Sequence, residues 1–180
     1  MRVIAGRARG RPLLAPKGAQ TRPTSDLIRG VIFNLLAQEV DDLGEVLDLY
    51  AGSGALGIEA LSRGAERVTF VERNPTACRV ISENLHRLDL AEGTTIVNAP
   101  VKRALTTLNG AYTIILLDPP YADSEIDEVL AQLAASSLVG SETIVVVEHS
   151  KHREPEGPGL MRVKRRCHGD TCVSIFRRVE

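Results

Sequence analysis

The chain has 180 residues, 43% hydrophobic and 25% charged, with a formal net charge of −1. The length suits one domain with a buried core, the apolar fraction excludes a disordered chain, and 15 Gly with 9 Pro exclude collagen-like or low-complexity architecture. Three Cys form no disulfide framework and point to a reducing compartment, and no apolar run is long enough to span a membrane.

The opening, MRVIAGRARGRPLLAPKG, holds two short apolar stretches around a basic, Gly-containing run, which suits a hairpin arm or irregular extended structure. It lacks the apolar region of a secretory signal, so a cytoplasmic protein is expected. TRPTSD follows as a helix-start signal, and Leu27, Ile28, Val31, Ile32, Leu35 and Leu36 then mark one apolar helical face. From Glu45 strands and helices alternate: strands over 45–51, 67–72, 94–99, 112–118 and 142–149, helices over 55–64, 75–88, 101–108 and 124–136. EPEGPG turns the chain into two further strands, 160–167 and 171–178, joined by His168-Gly169-Asp170. Repeated β-α-β units with apolar strands predict an α/β fold of Rossmann-like type. The expected sheet has seven strands, mostly parallel, with helices on both faces and a C-terminal antiparallel hairpin.

Charge is distributed unevenly along this order. Residues 1–30 carry +6, residues 31–150 carry −11, and residues 151–180 carry +4. Basic ends around an acidic body point to a polyanionic partner bound through Arg and Lys. Residues 1–23 read as a basic extension and 24–180 as the main domain.

Two motifs carry chemistry. After the first strand, Gly52-Ser53-Gly54-Ala55-Leu56-Gly57 fits G-x-G-x-x-G between strand and helix, where glycines permit a tight turn and close approach of a ligand. Glu72 ends the second strand 20 residues after Gly52, where an acid accepts the ribose hydroxyls of an adenosine. This pair leaves NAD and S-adenosylmethionine open. The fourth strand runs into Asp118-Pro119-Pro120-Tyr121, beside the first strand at the ligand-binding edge of such a sheet. Asp118 and the Pro119 carbonyl can accept the two N–H bonds of an exocyclic base amine, directing its lone pair at an electrophile. Pro120 stiffens the loop, and Tyr121 offers a face on which the base stacks.

DLYAGSGALGIEAL, VERN and DPPY together resemble an S-adenosylmethionine-dependent amino-methyltransferase. RVIAGRARGRPL, TRPTSD and HGDT extend the likeness over almost the whole chain to the RsmD family, bacterial methyltransferases of 16S rRNA. The resemblance implies transfer to N2 of a guanine, at nucleotide 966, in rRNA or in an assembling small ribosomal subunit. It implies that Gly52, Ser53, Gly54 and Gly57 line the methionine part of the cofactor above Asp48, with Glu72 on the ribose. Arg73 and Asn74 would flank the adenine, and Thr24 and Ser25 would lie by the cofactor's carboxylate. Where the family has an acid after strand three, this chain has Asn98-Ala99-Pro100, so adenine contacts fall to main-chain groups of Ala99, Pro100 and Val101. RNA contacts are expected from Arg7, Arg9, Arg11, Lys17, Arg22, Arg29, Arg165 and Arg166.

Neither a metal nor a membrane is called for, and a monomer is expected. Cys167, His168 and Cys172 lack a fourth ligand, and DPPY replaces the Pro-Cys of cytosine-C5 enzymes, so Cys172 is no nucleophile. His86, His149 and His152 read as surface or edge residues. Competing readings are an adenine-N6 or DNA amino-methyltransferase, an NAD-dependent oxidoreductase on the same glycine loop, and a non-catalytic RNA-binding protein.

Overall fold

The computed structural model describes residues 1–17, 26–120, 122 and 124–179. Thr24, Ser25, Arg22 and Tyr121, all expected at the site, lie outside them. The elements in chain order are α1 (Asp26–Leu36), β1 (Glu45–Leu49), α2 (Ala55–Ser62), β2 (Arg67–Glu72), α3 (Pro75–Arg87), β3 (Thr94–Asn98) and α4 (Val101–Thr107). They continue with β4 (Tyr112–Leu117), α5 (Ile126–Ala135), β5 (Val139–Ser150), β6 (Leu160–His168) and β7 (Thr171–Arg178).

The strands form one seven-stranded sheet in the order β3-β2-β1-β4-β5-β7-β6. The first five are parallel, and β7 and β6 add antiparallel. Side-chain alternation divides the interior: Val46, Ile114, Leu116, Ile144 and Val146 join the core under α1, α2 and α3. Leu47, Leu49, Ile115, Leu117, Val145 and Val147 join the core under α4 and α5. Strand order reverses at β1, whose Leu49 pairs with Leu117 of β4, so the carboxyl ends of these two strands meet at a switch point.

β5 begins at Val139, earlier than the expected 142, because Tyr112 pairs with Val139 and Ile114 with Ile144, which leaves the extra residues of the irregularity in β5. The opening segment is no loose tail. Val3 N–H donates to Arg11 O at 3.0 Å and Gly10 N–H to Val3 O at 2.8 Å, making a short hairpin. All eight residues of α2 are buried, so this helix needs cover on its outer side as well as from the sheet. The hairpin supplies it, burying Val3, Ala8 and Leu13 in the same core. Its backbone is clamped by Glu59, whose buried carboxylate accepts the N–H groups of Ile4 and Ala5 at 2.9 and 3.0 Å and pairs with Arg63 at 2.8 Å. Gly6 passes so close that a Cβ there would lie 1.8 Å from Ser62 O.

Two expectations about the C-terminal strands need correction. Cys167 and Cys172, expected as reduced thiols, are joined as a disulfide, since the β6–β7 register sets them directly opposite one another. His149, expected at the surface, is buried beneath β7 and the segment after β5. Its Nε2 lies 2.9 Å from Ser174 Oγ and its Nδ1 2.9 Å from Ser150 O. Burial lowers its pKa. No helix among the described residues is long and apolar enough to cross a membrane.

Candidate active site

The site is built where β1, β2, β3, β4 and β5 end. Tyr50 leaves β1 in the left-handed region (φ 59), an unusual conformation for a residue with a side chain, which turns Ala51 so that its N–H reaches Val71 O at 3.0 Å. The three glycines of the following loop divide into different roles. Gly52 (φ +57) has open space where a Cβ would stand, with no heavy atom nearer than Tyr50 O at 4.0 Å, and it alone leaves room for close approach of a ligand. Gly54 (φ +81) is hemmed by Ile58 and Ile81. Gly57, expected to line the cofactor, instead packs α2 onto β2: a Cβ there would meet the Phe70 ring at 2.3 Å.

Two carboxylates organise this loop. Glu72 accepts N–H groups from Gly52 at 2.9 Å and from Asn74 at 2.8 Å, locking the β1 and β2 exits together. Asp48 is buried and accepts the Gly57 N–H at 2.9 Å. Burial pushes the Asp48 carboxyl up to about 8; the Gly57 N–H opposes the rise, while the charges of Asp118 and Glu72 add to it. That coupling brings three acids from β1, β2 and the β4 exit into one electrostatic neighbourhood.

The arrangement discriminates between the two adenosine cofactors. A dinucleotide places its pyrophosphate on the N–H groups opening the helix after the glycine loop. Here one such group, from Gly57, already bonds Asp48, and the carboxylates of Glu72 and Asp118 would repel the anion. A sulfonium carrying an ammonium group suits the same field.

The remaining expected residues fall as follows. Asp118 is half-buried, Pro119 buried and Pro120 exposed, at the end of β4 beside Gly52's loop. Ser53 is half-buried, and its carbonyl accepts from Asn84 at 3.1 Å. Arg73 and Asn74 are exposed, and the Asn74 side chain caps α3 through Thr76 N at 2.8 Å. Ala99 N–H is engaged by Glu72 O at 3.2 Å, Pro100 caps α4, and Val101 points its side chain into the core.

Among the cations, Arg7, Arg9, Arg11, Lys17, Arg165 and Arg166 are exposed. Arg11 pairs with Asp89 at 3.5 Å, and Arg165 with Glu154 at 2.6 Å. Arg29, expected to hold RNA, is fully buried, its guanidinium donating to Arg2 O at 2.5 Å and to Asp26 at 2.8 Å, and so it ties α1 to the hairpin. Arg7 lies against Ser62 at the far end of α2, one helix length from the glycine loop, whereas Arg166 sits opposite Val173, itself paired with Glu148 at the site's edge. The two basic ends therefore approach the molecule at different heights.

Three contributors were missed by sequence reasoning. Asn98 donates to the carbonyls of Glu72 and Arg73, both at 3.0 Å, and so holds the β2 exit beside the place where the absent acid was expected to meet the adenine. Asn84 bridges Ser53 O and Leu14, linking loop and hairpin. Glu148, 3% exposed, lines a cavity with Pro119 and Pro120. The α3 position of Asn84 and the β5 position of Glu148 were legible as element positions; their partners were not.

Comparison with known proteins agrees with this geometry. The family model described as Conserved hypothetical protein 95 matches residues 1–177. The YlbH protein of Bacillus subtilis (strain 168) is 37% identical, with 99% of each chain covered. Ribosomal RNA small subunit methyltransferase D of Escherichia coli (strain K12) is 34% identical over 82% of this chain and 74% of that one. The solved structure of yhhF from Escherichia coli superposes with a TM-score of 0.86 at 30% identity, covering 99% of this chain and 97% of that one. The fold is that of the class I methyltransferases, whose methyl donor is S-adenosylmethionine, and Gly52, Asp48 and Glu72 fit that molecule. On the match of almost its entire length, the chain belongs to the Conserved hypothetical protein 95 family, that of the ribosomal RNA small subunit methyltransferases D.

Proposed function

We propose that this protein methylates the exocyclic N2 of a guanine in small-subunit rRNA, at the position corresponding to 966, on free rRNA or an assembling particle in the bacterial cytoplasm. The observation that carries the reading is the pairing of Leu49 with Leu117, which sets the Asp118-Pro119 acceptors beside the loop of Gly52. A base amine is a weak nucleophile because its lone pair is delocalised into the ring. Asp118 and the Pro119 carbonyl accept its two N–H bonds, favour a pyramidal nitrogen and aim the lone pair across the gap between β4 and β1. Tyr121 stacks on the base, and Pro119 and Pro120 hold the acceptors at a fixed direction.

The bound cofactor supplies an electrophilic methyl on a positively charged sulfur. Glu72 binds the ribose, Asp48 holds the loop through Gly57, and Gly52 lets backbone approach the cofactor chain. The methyl would pass from sulfur to nitrogen, the S–C bond breaking as the N–C bond forms and a neutral thioether departing, and Asp118 would take up the proton that the amine loses. Positioning and exclusion of water supply most of the acceleration. Arg7, Arg9, Lys17 and Arg166 contact RNA phosphates.

Labelled methyl transfer to small-subunit rRNA and to small-subunit particles, followed by nucleoside analysis, tests the proposal. N2-methylguanosine is expected, with a rate that falls as salt rises. Methyladenosine, or label in DNA alone, would replace this reading with the corresponding amino-methyltransferase.

A further inference from the structure

Methyl transfer makes no use of Cys167 and Cys172, yet the fold brings them together. They face each other across β6 and β7, one pair before the His168–Thr171 pair that closes the turn, and a disulfide joins them. The two sulfurs have unlike surroundings. Cys167 is exposed on the edge strand β6, whereas Cys172 is fully buried in β7. Arg165 Nη2 donates to Cys172 Sγ at 3.6 Å, and Nη1 of the same guanidinium pairs with Glu154 at 2.6 Å. Thiol–disulfide exchange needs one sulfur open to attack and another stabilised as it leaves. This bond offers one of each.

We propose that the Cys167–Cys172 bond is a reversible redox switch acting on the wall beside the β4 exit. A thiolate of a small dithiol attacks the exposed Cys167 Sγ. The S–S bond breaks, and its electron pair leaves with Cys172 Sγ, whose charge the Arg165 guanidinium stabilises. The second thiolate of the reductant attacks its own sulfur in the mixed disulfide and releases Cys167. Both protein sulfurs take up the protons that the dithiol lost, two electrons pass to the protein, and the dithiol becomes a cyclic disulfide. A small disulfide reverses the sequence. In the cytoplasm proposed above, bonds of this kind come and go with redox state.

The change reaches the wall by two short routes. β7 pairs with β5 in the register His149 with Cys172 and Ser150 with Thr171. Lys151 N–H donates to Asp170 O at 2.9 Å, and Lys151 Nζ pairs with the Asp170 carboxylate at 2.5 Å, so the β6–β7 turn holds the end of β5. Arg165 is the second route, because it connects Cys172 through Glu154 to the segment after β5. His149, Ser150, Arg153 and Pro155, from these two stretches, line a cavity with Pro119 and Pro120. With the bond intact, the end of the edge strand is fastened to β7. Reduction lets that end fray and draws Arg165 from Glu154 toward a charged sulfur, and the wall loosens.

The test uses the full chain equilibrated in buffers of reduced and oxidised dithiothreitol. Maleimide counting is expected to find one free thiol, Cys78, in the oxidised form and three in the reduced form. Amide exchange at the end of β5 and in the β6–β7 turn should quicken about tenfold on reduction. Methyl transfer to small-subunit rRNA should fall about tenfold in kcat/KM. Cys167→Ser, at an exposed position, should match the reduced form in either buffer. Three free thiols in every buffer, or equal exchange or equal kcat/KM in the two forms, overturns the proposal. So does a Cys167→Ser variant that still responds to the buffer, since the sensitive group would then lie elsewhere. Absence of methyl transfer in both forms would remove the functional reading above, and amide exchange would then decide the switch alone.

Discussion

The two sides of the switch point are built from different materials. On the β1–β2 side, the cofactor corner is held by main-chain N–H groups of Gly52, Gly57 and Asn74 donating to Glu72 and Asp48. On the β4–β5 side, a cavity is walled by residues from the β4 exit, β5 and the segment after it. The first kind of corner is written in a few neighbouring residues and recurs wherever this loop recurs. The second depends on which distant strands are brought together. On the function proposed above, a cofactor common to many enzymes falls to the local part, and the particular base to the long-range part.

The sharpest break between the two sides is expected at Asp118. Asp118→Ala removes an acceptor and the proton's destination on the base side, so methyl transfer should fall by about 10²–10⁴-fold. Cofactor binding, measured by calorimetry, should persist. Retained full activity would remove Asp118 from the chemistry. Glu72→Ala acts on the other side: losing an acceptor for two backbone N–H groups and the ribose should weaken cofactor binding by about 10–100-fold. If both variants changed cofactor affinity equally, the division between the sides would fail.

The same division explains what was legible in the sequence. The strand–helix alternation, the seven strands and the acidic end of β2 follow from apolar period and from glycines at fixed offsets, all local signals. Thr24, Ser25 and Tyr121 lie outside the described residues, so their expected roles carry forward as proposals. Arg29 illustrates why the rest was hidden. In a basic segment it reads as an RNA contact, yet it lies on the buried face of α1 and satisfies Arg2 O and Asp26. Only the docking of the hairpin on α2 reveals this, and nothing near Arg29 announces where Arg2 will be. His149 and Glu148 were equally ambiguous, since neighbours from β4 and β7 decide their surroundings.

Gly57 offers a smaller and cleaner test, because motif and structure assign it different work. Gly57→Ala should lower stability by about 1–3 kcal/mol through collision with Phe70. Adding Phe70→Leu should return part of that loss in a double-mutant cycle. Weakened cofactor binding with unchanged denaturant midpoints would restore Gly57 to the ligand.

Asp48 joins the two sides, since its carboxyl feels both Glu72 and Asp118, and it gives a prediction read as a slope with pH. Burial is the main cause of its rise to about 8, against an unfolded value near 3.8. Between these values the folded protein keeps a proton that the unfolded chain releases, so rising pH favours unfolding. Stability without cofactor should therefore decline from about pH 4 to about pH 8, by at most about 1.4 kcal/mol per pH unit, and then level off. Asp48→Asn keeps an acceptor for the Gly57 N–H and cannot ionise, so its denaturation midpoints should lose this slope. S-adenosylmethionine brings positive charge and favours the ionised carboxylate. It should stabilise the native protein more at pH 8 than at pH 5, and the variant should lack that increment. Parallel pH curves for the native protein and the Asp48→Asn variant would show instead that Asp48 is ionised throughout, and that the cofactor corner is held by hydrogen bonding alone.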